Sequence, residues 1–464
     1  MMTADGVRRL PLVRTGAPLP FRTVMPAYLA ALAGWLAASI VLVIATPALV
    51  DGAIASTDVV LAAHLVALVL FPFGVAAAVM QLLPMLLRND LSSRTRVRIA
   101  LILIAAGAPL AFAIARDANG FVAIFAALLA LGLALVLVEV ALLIRRVPKG
   151  RLIIVNRPAV ALAVANALLA FALGAAAAAD RGPNPLGIPY ERLLLAHLSI
   201  ALIGWLTVMI AVIGRTLVPM IGLGPAPARR RVPVAELMIV AGLWLYLAGV
   251  ILEWPAMLAA GIVVAVAGLV PVGWLFARTA LRGRIGVREG PGAHAAAGLV
   301  FLLQAALLGL VAAAGSIDGR RAAIAAVAFL GLGWAAGMIV GHIGKLLSFA
   351  AWGAWPPGPR PRQSELYPRL PWQFEALLFT AAVELLGGGI VFESDAAARA
   401  GALLLVAAAL AATLGAMLTI SNVLSLLRRH PVPAAAGSQG RGSRDRQAGR
   451  SGRQRSWRRN KTTR

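Results

Sequence analysis

The chain contains no cysteine among its 464 residues, so disulfide bonds, thiolate metal sites and CxxC redox chemistry are excluded. Acidic residues are scarce as well, since 18 Asp and Glu stand against 43 Lys and Arg, for a formal net charge of +25. Phosphate-binding glycine loops, HExxH pairs and nucleophile elbows are also missing. The sequence therefore gives no support to a hydrolase or to a nucleotide-binding protein.

Apolar residues, by contrast, make up 61% of the chain, a share that excludes an ordinary soluble domain. They are concentrated in twelve runs, which match or exceed the length of roughly 20 residues that a bilayer-crossing helix needs. We predict an all-α, polytopic membrane protein with twelve transmembrane helices. Their predicted positions are 27–50, 59–87, 98–115, 121–144, 158–179, 193–222, 234–252, 256–277, 293–314, 322–352, 373–392 and 397–427.

The segments between these runs differ in charge. One set, which alternates along the chain and includes both termini, holds 36 of the 43 Lys and Arg when the adjoining ends of the runs are counted with it, whereas the opposite set, counted in the same way, holds six. Because positively charged loops stay in the cytoplasm, we expect the N-terminal segment 1–26 and the tail 428–464 to be cytoplasmic. We accordingly expect a multi-pass protein of the cell inner (cytoplasmic) membrane, with residues 27–427 as its transmembrane domain.

The tail 428–464 holds twelve Lys and Arg and few apolar residues, so we expect it to be disordered. Anionic lipid head groups are its expected partner, at about 1 kcal/mol for each basic residue near the membrane surface. RNA or an acidic protein is a weaker alternative, because most other basic residues lie in short loops between apolar runs. A further alternative is that the tail only sets the topology.

Three of the apolar runs are similar to one another, which indicates an internal repeat. Residues Leu193–Met220 (LLLAHLSIALIGWLTVMIAVIGRTLVPM) place an aromatic residue ahead of a polar residue near the inner end, and Ala62–Leu87 and Ala325–Trp352 do the same. The aligned polar residues are Gln81, Arg215 and Lys345, and the aligned aromatic residues are Phe71, Trp205 and Trp334. The repeat predicts three pseudo-threefold-related quartets of helices, at about 27–144, 158–277 and 293–427.

Two histidines lie near the outer ends of these runs. His64 and His197 occupy matching places, and each is followed by Leu. Neutral imidazole suits haem iron, copper or zinc, so both residues are candidate metal ligands. The alternative is a histidine at the membrane interface that hydrogen-bonds to a neighbouring loop. The third run has no histidine here, since Val327 or Ala328 stands at this place.

The aligned polar residues at the inner ends form a second candidate group. Gln81, Arg215 and Lys345 are candidates to bind haem propionates, a quinone head group or an anionic substrate. The alternative for the basic residues is snorkelling to the cytoplasmic interface, and for Lys345 we expect this alternative. His342 and His294 are a weaker candidate pair on helices ten and nine. Because both are expected near helix ends, a structural role is favoured for them.

Polar residues also occur within the spans themselves, at Glu384, Gln304, Glu139 and Asn166. An intramembrane carboxylate is a candidate proton carrier, and we apply this hypothesis above all to Glu384. The alternative is a protonated acid that is hydrogen-bonded between helices.

The order of a histidine opening a long helix, an aromatic step, and a polar residue before Leu-Leu-Pro or Leu-Val-Pro resembles subunit I of haem-copper oxidases. It resembles more closely their divergent relatives. The run GHIGKLLSF at 341–349, with Trp352, is similar to a recurrent segment of those relatives, which usually has Tyr in place of Gly344 and Pro in place of Ser348. The resemblance implies twelve helices, cytoplasmic termini and a pseudo-threefold arrangement of quartets.

The resemblance also implies roles for single residues. His64 matches the span-two axial ligand of a low-spin haem, and His197 loosely matches the span-six copper ligand. The paired histidines of spans ten and seven, and the Pro-Glu and Tyr that follow the span-six histidine, are missing. A complete copper site and standard oxygen or nitric oxide reduction are therefore not expected. The resemblance then implies one b-type haem or none, in an electron-transfer or accessory subunit that has a redox partner or other membrane subunits.

Two alternatives from other classes remain open. A secondary transporter of six plus six helices would use Glu384, Gln304 and Asn166 along its path. A purely structural or assembly subunit would use the basic tail as its working part.

Overall fold

The computed structural model describes residues 21–87, 89–146, 156–179, 189–224, 231–284, 286–315, 318–356 and 359–429. Within these ranges the regular structure is entirely helical. Twelve helices are long and apolar enough to cross a membrane, which confirms the predicted all-α class and the predicted number of spans. Most of the predicted N-terminal segment and nearly all of the basic tail lie outside the described residues.

The twelve helices are called spans one to twelve, in chain order. Their bounds are Phe21–Val50, Thr57–Leu87, Arg94–Ala115, Asn119–Arg145, Pro158–Ala177, Arg192–Gly222, Pro233–Ile251, Pro255–Arg282, Gly290–Ala312, Gly319–Gly353, Arg369–Val391 and Asp395–Arg429. Span one begins at Phe21 rather than at residue 27, because a charged residue such as Arg22 costs little in the first turn, near the membrane surface. Odd-numbered spans begin at the end of the bundle that carries the Lys- and Arg-rich loops, and we call it the basic end.

Three of the spans contain a π-helical segment at a corresponding place. The segments are Val66–Leu70 in span two, Ile200–Thr207 in span six and Ala328–Ala336 in span ten. Each segment includes or directly precedes the aromatic residue that the sequence repeat aligns. Because π-helical turns are rare and are frequent at functional sites, spans two, six and ten share an uncommon backbone feature.

Three turns at the opposite end are also alike. Asp117, Glu253 and Glu393 have φ values of 54°, 51° and 57°, a left-handed conformation that residues other than glycine rarely adopt. In each turn the amide of the following residue donates to the carbonyl five residues earlier, which caps the end of span three, seven or eleven. The third and fourth spans of each predicted quartet are therefore joined by the same type of turn.

The packing of the spans places the second member of each predicted quartet at its centre. Spans two, six and ten each contact the other three spans of their own quartet. Span ten also packs against span two and span six. Neighbouring quartets meet where span eight contacts span nine and where span twelve contacts span one. These contacts bring spans two, six and ten together in the middle of the bundle.

Aromatic side chains fill the space between spans one, nine, ten and eleven. The ring centroid of Phe379 lies 6.0 Å from that of Trp35 and 6.4 Å from that of Phe301. Phe301 also stacks on Phe329, with 6.1 Å between the ring centroids. Because packed aromatic rings bury a large apolar area, this part of the bundle is a solid core.

Candidate functional site

A cavity lies between spans two, six and ten, in the half of the bundle nearer the basic end. It has a volume of about 70 Å³, it is partly open to the surroundings, and its wall is almost wholly apolar. The lining residues include Gly74, Ala78, Trp205, Ile213, Met338 and His342. Because binding sites are typically concave, largely apolar and provided with few polar groups, this cavity is the leading candidate for a ligand site.

His342 provides a polar group in this apolar wall. Its side chain is only 3% exposed, and its Nδ1 lies 2.6 Å from the backbone carbonyl oxygen of Met338, one turn earlier in span ten. Its Nε2 is buried and has no hydrogen-bond partner among the described residues. The expectation that His342 lies at a solvated helix end is wrong, because its side chain is buried and lies well before the end of span ten at Gly353.

His294 lies beside His342 and forms a buried pair of its own. Its Nε2 is 2.8 Å from Glu375 Oε2, and both side chains are almost fully covered. The His294 ring packs closely against Gly341 of span ten, where a Cβ atom would collide with it. His294 is therefore also far from a solvated position, and the structural role expected for it takes the form of a buried link between spans nine and eleven.

Lys345 is buried in an ion pair at the basic end. Its Nζ lies 2.7 Å from Glu289 Oε2, and both side chains are about 95% covered. Arg369 approaches the other carboxylate oxygen at 3.2 Å, and the Lys345 ammonium lies 4.1 Å from the centre of the Tyr367 ring. The expected snorkelling of Lys345 is wrong, because the carboxylate just before span nine compensates its buried charge.

The pKa of Tyr367 is affected by the same group of charges. Burial, and then the neighbouring Glu289 carboxylate, raise the pKa of the Tyr367 phenol above its ordinary value. The phenol therefore stays neutral beside the Lys345–Glu289 pair.

Gln81 holds three spans together. Its Oε1 accepts a 2.8 Å hydrogen bond from the Tyr28 hydroxyl of span one, and its Nε2 donates a 2.8 Å hydrogen bond to the Leu346 carbonyl of span ten. Both side chains of the first contact are fully buried. Gln81 therefore links spans one, two and ten within the protein.

Arg215 is held in a similar way in the second quartet. A guanidinium nitrogen lies 3.5 Å from Glu236 of span seven, and Asn156, just before span five, donates to the same carboxylate. Glu236 is fully buried, which explains why the charge of Arg215 is tolerated inside the helix bundle. All three aligned polar residues thus contact the beginning of their own quartet. Gln81 bonds to span one, Arg215 reaches Asn156 through Glu236, and Lys345 pairs with Glu289 just before span nine.

His64 and His197 lie at the other ends of spans two and six, apart from the residues that line the central cavity. His64 Nδ1 lies 2.7 Å from the Val60 carbonyl oxygen of its own helix. His197 Nδ1 lies 2.8 Å from the Ala170 carbonyl oxygen of span five, and its ring packs against Gly174. The two histidines therefore have different surroundings, and each has a structural contact that holds its ring.

A haem beside His64 would need a flat space next to span two. Span two is instead in close contact with its neighbours: a Cβ added at Gly34 of span one would lie 2.5 Å from Val69. One added at Gly107 of span three would collide with the backbone of Leu68. The contact of His64 Nδ1 suits an iron ligand, and spans one and three pack closely against span two at the turn that follows His64.

The polar residues within the spans have partners on other spans. Gln304 Nε2 of span nine donates a 2.7 Å hydrogen bond to Glu384 Oε2 of span eleven, the arrangement expected for a carboxyl group hydrogen-bonded between helices. Asn166 donates a 3.1 Å hydrogen bond to the Gly204 carbonyl in the π-helical segment of span six.

Glu139 of span four is part of a separate network. It pairs with Arg96 at 2.7 Å and accepts a hydrogen bond from the amide of Ser93. Glu139 therefore fixes the start of span three.

Three carboxylates that matter most at the basic end were missed by reasoning from the sequence. Glu289, Glu236 and Glu375 are each less than 4% exposed. The available signal was their position at or just inside the start of an apolar run, where an acidic residue is uncommon. Their partners are far away in sequence, so the pairing itself had no local signal.

No family model matches this chain, and no curated protein matches it either.

Proposed function

We propose that this chain is a haem-copper-oxidase-like protein of the cytoplasmic membrane that serves as an accessory subunit without a redox centre. In this proposal both termini are cytoplasmic and the twelve spans form three pseudo-threefold-related quartets. Three recurring features support the quartets: the π-helical segments of spans two, six and ten, the left-handed acidic turns, and the contacts around the second span of each quartet.

One observation supports the proposed lack of a redox centre. The polar residues at the basic ends of the three central spans, which a cofactor would use, already contact protein groups: Gln81 with Tyr28, Arg215 with Glu236, and Lys345 with Glu289. These contacts hold helices together. The close packing of span two near His64 points the same way.

An absorbance spectrum of the purified protein, oxidised and reduced, together with elemental analysis, tests the proposal. We expect no Soret band and no bound iron or copper, and we expect H64A to leave the spectrum unchanged. A Soret band that disappears in H64A but survives in the matched variant H294A would overturn the accessory role in favour of single-haem electron transfer.

A second candidate, a secondary transporter, is favoured by one specific observation. The His294–Glu375 pair is buried beside His342, and buried ionisable groups in membrane proteins commonly carry protons. Proteoliposomes with an enclosed pH-sensitive dye test this role under an imposed membrane potential. Proton uptake that is lost in E375Q and kept in E253Q would support transport. If vesicles with and without the protein take up protons at equal rates, proton conduction by the basic end is excluded.

A further inference from the structure

The last turns of span twelve carry polar side chains on the face that points away from the helix bundle. Met417 and Leu424, which are 50% and 51% exposed, alternate along this face with Ser421 and Arg428, which are exposed as well. Steps of four, three and four residues place the four side chains on one side of the helix, and we call them the lipid-facing stripe. The opposite side packs inward, since Val423 is only 4% exposed.

The length of span twelve sets the depth of the stripe in the membrane. The helix has 35 residues, from Asp395 at one surface to Arg429 at the basic end, so it measures about 52 Å against a hydrocarbon layer of about 30 Å. Ser421 lies about 39 Å from Asp395 along the helix, close to the total bilayer thickness of about 40–45 Å. The stripe therefore reaches from the edge of the hydrocarbon, at Met417, into the layer of lipid head groups.

A pocket lies along the stripe. It has a volume of about 270 Å³, it is partly open to the surroundings, and it is lined by Met417, Ile420, Ser421, Leu424, Ser425 and Arg428. Because helical side chains point back toward the N-terminus of the helix, the long Arg428 side chain extends over the preceding turn and bounds the pocket. The volume is just below the usual range of small-molecule sites, so it suits a lipid head group rather than a whole lipid.

The chemistry of the pocket indicates what kind of head group it takes. The Ser425 hydroxyl donates a 2.9 Å hydrogen bond to the Asn422 carbonyl oxygen, so the Ser421 hydroxyl and the Arg428 guanidinium are the donors that the lining side chains offer to a ligand. A guanidinium group binds two phosphate oxygens at once and stays charged at all relevant pH values. A donor pair of this kind beside apolar side chains matches a phosphate that is attached to acyl chains.

We propose that this pocket binds the phosphate of an anionic phospholipid. Arg428 and Ser421 donate to the phosphate oxygens, and Met417 and Leu424 contact the beginning of the acyl chains. An anionic head group is favoured over a zwitterionic one, because a choline ammonium would lie near the Arg428 guanidinium. The site uses side chains of span twelve alone, so it can fail or succeed independently of the accessory role.

The experiment measures lipid preference at this place on the full-length protein. Because the chain has no cysteine, L414C allows a single fluorophore to be attached one turn before the pocket, where Leu414 is 54% exposed. The labelled protein is reconstituted into phosphatidylcholine vesicles with a rising fraction of phosphatidylglycerol or phosphatidylcholine that carries a nitroxide on its acyl chain and quenches the fluorophore on contact. We expect phosphatidylglycerol to bind about fivefold more tightly, the effect of one basic residue near the membrane surface.

Three variants, each made in the L414C background, locate the site. R428Q removes the charge from the pocket and should bring the ratio of the two affinities close to one. R429Q removes the same charge from the next residue, which does not line the pocket, and should keep most of the preference. S421W should fill the pocket and also bring the ratio close to one while Arg428 stays in place.

Equal quenching by the two labelled lipids in the protein without these three substitutions would overturn the proposal as a whole. An equal loss of preference in R428Q and R429Q would overturn the location, because it would show a general attraction to the charged end of the chain. Inorganic phosphate should act as sodium chloride does at the same ionic strength. If phosphate alone relieves the quenching, the pocket binds the free ion, and the proposed lipid occupant is wrong.

Discussion

The ion pairs at the two ends of the central spans differ in burial. At the basic end, Lys345 pairs with Glu289 while both side chains are about 95% covered. At the opposite end, Arg192 pairs with Glu253 and Arg321 pairs with Glu393, and the two acidic side chains are 68% and 58% exposed. The first arrangement is sensitive to the loss of one partner, whereas the second is close to solvent and is not.

This difference shows where the fold concentrates its interactions. Removing one member of a buried pair leaves an uncompensated charge, but an exposed pair contributes little because water replaces the lost partner. The basic end also holds the central cavity and the His294–Glu375 pair. We therefore expect stability and ligand binding to depend mainly on the basic end.

The largest effect is expected for E289A. The substitution leaves Lys345 buried without its carboxylate, which should lower the free energy of unfolding by about 3–5 kcal/mol. Thermal unfolding of the purified protein, followed by tryptophan fluorescence, measures the change.

The double variant E289Q/K345M is the control for this prediction. It removes both charges, so it should recover most of the stability that E289A loses. If E289A unfolds at the temperature of the unmodified protein, the Lys345–Glu289 pair is not the buried contact described here.

A smaller loss is expected for Q81L. Leucine has a similar volume but cannot bond to either group, so the buried Tyr28 hydroxyl loses its partner and the Leu346 carbonyl, which lies within a helix, loses one of two. We expect destabilisation by about 1–3 kcal/mol, measured in the same unfolding assay. In Y28F/Q81L the penalty should be smaller than in Q81L, because the orphaned hydroxyl is then removed. Equal stability of the single and double variants would contradict the Tyr28–Gln81 contact.

The next effect concerns the close approach of spans nine and ten. A Cβ at Gly341 would lie 2.5 Å from Cγ of the His294 ring, so G341A must displace that ring. We expect a net loss of about 1–2 kcal/mol, since overpacking outweighs the helix propensity that alanine gains. Gly388 offers a matched control, because a Cβ placed there would meet no neighbouring side chain or helix within 4 Å. G388A should be neutral or slightly stabilising, and an equal loss in both variants would argue against a specific clash.

Much of the fold could be predicted from the sequence because its causes are local. The length and hydropathy of each apolar run determine whether it crosses a membrane, and all twelve spans were found from these properties. The similarity of spans two, six and ten also had a sequence signal, since Gln81, Arg215 and Lys345 align. The π-helical segments at 66–70, 200–207 and 328–336 were not predicted from the sequence.

The candidate site was less predictable because its contacts are distant in sequence. Lys345 was expected to snorkel on the basis of its distance from the helix end, and the position of Glu289 at the start of span nine overrides that expectation. His342 was expected at a solvated helix end, whereas the structure puts it in the cavity wall. In both cases the missing information was which side chain of another span lies opposite.

The smallest effect is expected at the opposite end, for E253A. Glu253 is 68% exposed, so the loss of its pair with Arg192 should change the free energy of unfolding by less than about 1 kcal/mol. Glu253 also adopts a left-handed φ of 51°, and E253G, which relieves that strain while removing the same charge, should be at least as stable as E253A. Unfolding at low and high salt separates the two contributions, because salt weakens only the ion pair. A loss for E253A as large as that for E289A would mean that the two ends do not differ as their burial indicates.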